Sequence, residues 1–157
     1  MKNFYKKGIT MIELLIVFAT LGIIFSIIIP QFSKMRENQT LKNGARDVLS
    51  SLDKARSQTL ASLNSSEYGA YFQADKIIIF KGTDFSDSDA NNETINIITP
   101  ASISNVTINS VSGVSGNIYF NRLSGAPSNT GINTITVSTA SYSKIITISA
   151  TGVASVD

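Results

Sequence analysis

The chain has no cysteine, no histidine and no tryptophan among its 157 residues, and only three prolines. Without cysteine it can form no disulfide and offers no thiolate as nucleophile or metal ligand, although an oxidising exterior remains permitted. Without histidine the commonest general base and metal ligand is missing. A catalyst built from what remains would need a carboxylate pair or a Ser-Lys arrangement. The many Ser and Thr residues fall in strand alternation and loops, where solvation accounts for them, so the chain is read as a non-enzyme without cofactor. No phosphate-cradling glycine loop is present; Gly113 and Gly116 sit in a Ser/Val/Asn stretch that reads as a turn. The formal charge is +2, but three of the thirteen basic residues, Lys2, Lys6 and Lys7, precede the first apolar run, leaving ten against eleven acidic ones. A nucleic-acid surface is therefore not indicated.

Charge is scarcest where hydrophobicity is greatest. From Ile9 to Ile29 the only charged residue is Glu13, and as a helix these positions cover roughly 30 Å, the thickness of a bilayer's hydrocarbon core. The stretch reads as a membrane span. A removable secretory signal would have a shorter apolar region followed by small residues, whereas this run ends in Ile27-Ile28-Ile29-Pro30-Gln31-Phe32. Lys2, Lys6 and Lys7 on the near side place that end in the cytoplasm and the bulk of the chain outside, although Lys34 and Arg36 soften the asymmetry.

A carboxylate inside such a span is costly, about 2.5 to 3.5 kcal/mol at mid-membrane and less near an end. Glu13 either snorkels to the interface from an ordinary anchor or has a partner. If the chain is cut after Gly8, Ile9 carries a new ammonium about one helical turn from Glu13. A positive group at a helix N-terminus opposes the helix dipole and gains from a carboxylate, above all one on a neighbouring subunit.

The segment Lys6-Lys7-Gly8-Ile9-Thr10-Met11-Ile12-Glu13-Leu14-Leu15-Ile16-Val17, with Gly22 and Pro30-Gln31-Phe32 downstream, resembles the N-terminus of type IV pilins and type II secretion pseudopilins. The likeness covers Lys6 to Phe32. It implies cleavage between Gly8 and Ile9 by an inner-membrane prepilin peptidase that reads the basic leader residues Lys6 and Lys7. It also implies N-methylation of Ile9, an assembly role for Glu13, and packing of the apolar helix into a filament. Ile9 departs from the phenylalanine usual in the family at that position. The resemblance further implies a segment between Gly22 and Pro30 that can lose helicity, and Pro30 itself is expected to kink the helix.

After the span, Phe32, Met35, Leu41, Ala45, Val48, Leu49, Leu52, Ala55, Leu60 and Leu63 recur mostly three or four apart, an amphipathic continuation of the helix. Arg46, Asp47, Asp53, Lys54 and Arg56 read as its solvated face, and Gly22 and Gly44 as further soft points, Gly22 joining Pro30 as an expected kink. Asn64-Ser65-Ser66 ends it. Strand candidates follow at Tyr68 to Gln73 and Ile77 to Lys81, flanking an Ala74-Asp75-Lys76 hairpin turn, then at Thr94 to Ile98, Val106 to Asn109, Asn117 to Asn121, Thr134 to Thr139 and Lys144 to Ser149. Ile135, Val137, Ile146 and Ile148 are placed to face a core. Asp87, Asp89 and Asn91 share the alternate spacing of a calcium loop's first ligands, but the central Gly and the twelfth-position Glu are missing, so 84–93 reads as a flexible polar loop with no metal.

Asp47 to Gln58 before a hairpin, Phe120-Asn-Arg-Leu-Ser-Gly125 and the closing Ile-Thr-Ile-Ser-Ala-Thr-Gly152-Val are similar, in scattered fashion, to H-type minor pseudopilins and the related FimT-like minor pilins. The expectation is an α+β, pilin-like fold: a leader over 1–8, a membrane or filament-core helix over 9–30, an amphipathic half over 31–63, and a mostly antiparallel β-rich head over 64–157 packed on it. The resemblance implies a minor filament subunit of a secretion or pilus machine in the bacterial inner membrane, single-pass, its C-terminal domain periplasmic or extracellular. Other pilin or pseudopilin subunits, the prepilin peptidase and an inner-membrane assembly platform are the implied partners. The alternatives are a helix-anchored adhesin and a DNA-uptake pilin that binds a ligand through the β domain.

Overall fold

The computed structural model describes residues 8–157; Lys6 and Lys7 lie outside the described residues. One helix, α1 (Met11–Leu60), precedes two antiparallel sheets, an α+β layout. The chain divides into two units, Met1–Arg36 and Glu37–Asp157.

In the first unit α1 runs without interruption past Gly22 and Pro30. Its apolar side chains are exposed, among them Phe18, Phe25, Ile29 and Phe32. α1 contains an 18-residue stretch long and apolar enough to cross a membrane, none of it buried against protein. The hydroxyl of Thr20 donates back to the Val17 carbonyl at 2.9 Å, which satisfies a polar group on that surface within the helix itself.

In the second unit α1 buries Leu41, Gly44, Ala45, Val48, Ser51, Leu52, Ala55 and Thr59, a stripe with the three-and-four spacing of one helix face. The amphipathic rhythm is thus realised over 41–59 and not at its ends: Phe32, Met35, Leu60 and Leu63 are exposed. Gly44 is a point of close approach, since a Cβ there would lie 3.2 Å from Val137 Cγ1 and 3.6 Å from Ala101 Cβ. The helix ends at Leu60, a short 3-10 turn (Leu63–Ser65) follows, and Thr59 fastens the next strand: its buried hydroxyl accepts the Tyr68 N–H at 2.9 Å.

The first sheet has the order β3-β2-β1-β6, from β1 (Tyr68–Phe72), β2 (Lys76–Lys81), β3 (Glu93–Asn96) and β6 (Gly116–Tyr119). The second has the order β5-β4-β7-β8-β9, from β4 (Ser102–Ile108), β5 (Val111–Gly113), β7 (Asn133–Ser138), β8 (Ser143–Ile148) and β9 (Ala154–Val156). Alternation sends Ala70, Phe72, Ile77, Ile79 and Ile118 from one sheet, and Ile103, Val106, Ile135, Val137, Ile146 and Ile148 from the other, into one core with the α1 stripe. Each fully buried large side chain of this set contributes about 1.5 to 3 kcal/mol by leaving water.

Two strands escape the sequence reading. β5 forms where a turn was expected around Gly113, and β9 forms in the last residues; each is three residues long, too short to show a period of two. The outer face of the first sheet is also covered. Tyr71 and Phe80 are met by Phe85, which stacks on Tyr71 with ring centroids 4.1 Å apart and meets Phe80 edge-on at 5.7 Å, so the 84–93 segment is fastened to the sheet by an aromatic anchor.

Candidate functional site

The chemistry-bearing residues of the N-terminal unit converge on the first turn of α1. Gly8, Ile9 and Thr10 precede the helix in irregular backbone and are exposed, so the Gly8–Ile9 peptide bond lies open just upstream of a helix start. Thr10 and Glu13 form a reciprocal cap. Glu13 Oε2 accepts the Thr10 N–H at 2.8 Å and the Thr10 hydroxyl at 2.7 Å, while Thr10 Oγ1 accepts the Glu13 N–H at 3.3 Å. This is the capping-box arrangement, in which two otherwise orphaned N–H groups at a helix start are satisfied by each other's side chains. Its sequence sign, a Thr followed three residues later by Glu ahead of an apolar run, is present, but the expectation from sequence pairs Glu13 with an Ile9 ammonium and not with Thr10. The second carboxylate oxygen, Oε1, makes no hydrogen bond among the described residues.

A second convergence holds the C-terminal unit together. Arg56, expected on the solvated face of α1, is half-buried; its Nε donates to the Gly125 carbonyl at 3.0 Å and its Nη2 to the Thr151 carbonyl at 3.2 Å. The Phe120–Gly125 and Ile146–Gly152 stretches are thereby brought together beneath one guanidinium, whose planar fork suits two acceptors at once. Gly152 has φ +82° and packs so closely on Gly125 that a Cβ at Gly152 would fall against the Gly125 carbonyl oxygen. No local pattern marks Arg56, because its acceptors are 69 and 95 residues away.

The remaining charges on α1 are not uniformly solvated either. Lys54 pairs with Glu93 at 2.6 Å, and partial burial raises the Asp47 carboxyl above its ordinary value of 3.8. In the polar loop, Asp89 Oδ1 accepts both the N–H and the side-chain amide of Asn91, at 2.9 and 2.8 Å, and these bonds lower its pKa. Asn92 closes the loop by donating to the Ser86 carbonyl at 2.7 Å. Among the described residues no group of three or more acidic side chains converges as a metal site would require.

One long apolar N-terminal helix with a β domain packed on its second half is compatible with a pilin-like architecture. Comparison with protein-family models, curated proteins and solved structures finds no match to this chain.

Proposed function

We propose that this chain is a prepilin, processed between Gly8 and Ile9 and assembled through α1 into a filament as a minor subunit of a type II secretion or type IV pilus machine. The observation that carries the reading is the first turn of α1. A single carboxylate, Glu13, stands on an exposed helix surface that is otherwise apolar and uncharged as far as Ile29, directly downstream of an open Gly8–Ile9 bond. A helix that exposes this much apolar surface requires lipid or other apolar helices around it. After cleavage, the new ammonium of Ile9 sits beside Glu13, and the unoccupied Oε1 is available to the ammonium of a neighbouring subunit while Oε2 keeps the cap. Charge-assisted contacts of this kind set register where the surroundings are apolar. In this reading the protein is single-pass in the inner membrane before assembly, its C-terminal unit lies on the outer side, and its role is mechanical.

Intact-mass measurement of the protein extracted from membranes tests the reading. The expected species lacks residues 1–8 and retains 149 of the 157 residues. A mature protein that still carries Lys6 and Lys7 refutes it.

A further inference from the structure

The C-terminal unit has a cavity of about 220 Å³ between α1 and the β8–β9 edge, lined by Lys42, Ala45, Arg46, Leu49, Lys144 and Val156. Its floor is apolar and its rim carries three cations. Lys42 and Arg46 are exposed, and no carboxylate pairs with either among the described residues. Lys144 donates to the main-chain oxygen of Asp157 at 3.2 Å. The position of Lys144 is unusual. On β8 it continues the inward face of Ile146 and Ile148, and its register partner on β7 is the buried Val137. A half-buried cation stands where alternation calls for an apolar side chain.

The same unit carries a surface of opposite charge. The segment from Asp84 to Glu93 contains Asp84, Asp87, Asp89 and Glu93 and no basic residue. The Phe85 stack and the Asn92–Ser86 and Asn91–Asp89 bonds hold it in one conformation, so presenting it to a partner costs little ordering entropy. It cannot reach the cavity of its own molecule. Glu93 opens β3, the terminal strand of the first sheet, and is tied to Lys54, whereas the cavity borders β9, the terminal strand of the other. At 3.6 residues per turn, Lys54 points roughly 130° around α1 from the centre of the Lys42, Ala45, Arg46 and Leu49 group.

We infer that this cavity receives the acidic Asp84–Glu93 segment of a second copy of the chain. The contact is heterologous, one flank of α1 on one copy meeting the other flank on the next. The inference rests on the filament reading and adds the surface by which the C-terminal units engage. Lys54 lies eight residues beyond Arg46, which corresponds to an axial stagger of roughly 12 Å between successive copies.

The absence of cysteine permits a direct test with the full chain in its membrane. Differently tagged copies carrying Lys144→Cys and Asp87→Cys are co-expressed and oxidised, with Ser112→Cys on the opposite edge of the second sheet replacing Lys144→Cys as the control. A disulfide between the two tags is expected for the first combination and not for the control. In the doubly substituted K42E/R46E chain, incorporation into a sheared filament fraction should fall about tenfold, and likewise in D87K/D89K, because like charges then face each other. Co-expression of the two variants should restore it to within about twofold, the behaviour of a directly coupled pair. Unchanged thermal melting of each variant excludes misfolding as the cause. Absence of the cross-link, or reversal at the cavity that the loop reversal does not rescue, overturns the pairing; the latter result assigns the cavity to an acidic surface on a different subunit. Leader removal is read by mass in the same samples. A chain that loses its leader without cross-linking leaves the filament reading standing, and one that cross-links with its leader intact leaves only the pairing.

Discussion

In the proposed function Glu13 has two separable tasks, the cap and the assembly contact, and one substitution distinguishes them. Glu13→Gln retains an amide oxygen that can accept the Thr10 N–H and hydroxyl, so the cap at the start of α1 should persist, while the charge proposed to face the Ile9 ammonium after cleavage is lost. Membrane insertion and leader cleavage are expected to be unaffected, since a neutral side chain is easier to place near lipid. Recovery in the sheared filament fraction should drop sharply. If Glu13→Gln assembles as well as the parent, Glu13 serves the cap alone. Gly152 offers a second residue-scale test. Alanine there must adopt φ near +82° and drive its methyl group against the Gly125 carbonyl, breaking the contact that Arg56 fastens. A backbone strained in this way costs about 1 to 3 kcal/mol. The melting temperature of the C-terminal unit should fall accordingly, whereas Gly22→Ala, with nothing within 4 Å of the new Cβ, should leave it unchanged.

Among the elements, α1 beyond Glu37 serves the core on one face and carries Asp47 at that face's margin. Because burial raises the Asp47 carboxyl, ionising it costs more in the folded than in the unfolded chain. The folded state therefore binds the proton more readily, and stability contributed at this position is lost as pH rises through the carboxylate range. The expected consequence is that Asp47→Asn is more resistant to urea than the parent at pH 7, and that the two midpoints converge at pH 3, below the ordinary value of 3.8. A difference of the same size at both pH values would mean that packing, not ionisation, sets it. Asp89 works in the opposite sense, since its lowered pKa supplies stability above the ordinary carboxylate value that disappears as acid protonates it.

At the scale of the whole molecule, every buried hydrophobic side chain among the described residues belongs to the Glu37–Asp157 unit. A fragment beginning at Glu37 is long enough to bury a core of its own. It should be soluble and show mixed helix and strand by circular dichroism with a cooperative melt. Phe72→Ala or Phe120→Ala, at side chains with no exposed surface, should lower its stability by about 3 to 5 kcal/mol. A disordered spectrum would mean that the Ser/Thr/Asn-rich half is an unfolded linker, for which its composition is also suited.

Features that depend only on neighbours close along the chain needed no structure to be read. The long apolar helix, the β1–β2 hairpin about Ala74-Asp75-Lys76, and the inward placement of Ile135, Val137, Ile146 and Ile148 were legible because a period of 3.6 or 2 repeats often enough in those stretches to be unambiguous. The Thr10-to-Glu13 cap was equally local and could have been read from its spacing. The division of the strands into two sheets, the edge strands β5 and β9, and the exposure of Phe32, Leu60 and Leu63 required the tertiary structure, because pairing and burial depend on what arrives from elsewhere in the chain. Arg56 and Lys144 show this most directly. A local pattern assigns one to solvent and makes no distinction for the other, yet the first clamps two loops that lie 69 and 95 residues away, and the second turns a cation toward the flank of α1. Long-range approach decides which charges are paired, which are desolvated and which are left facing a cavity, and none of these is a property of spacing.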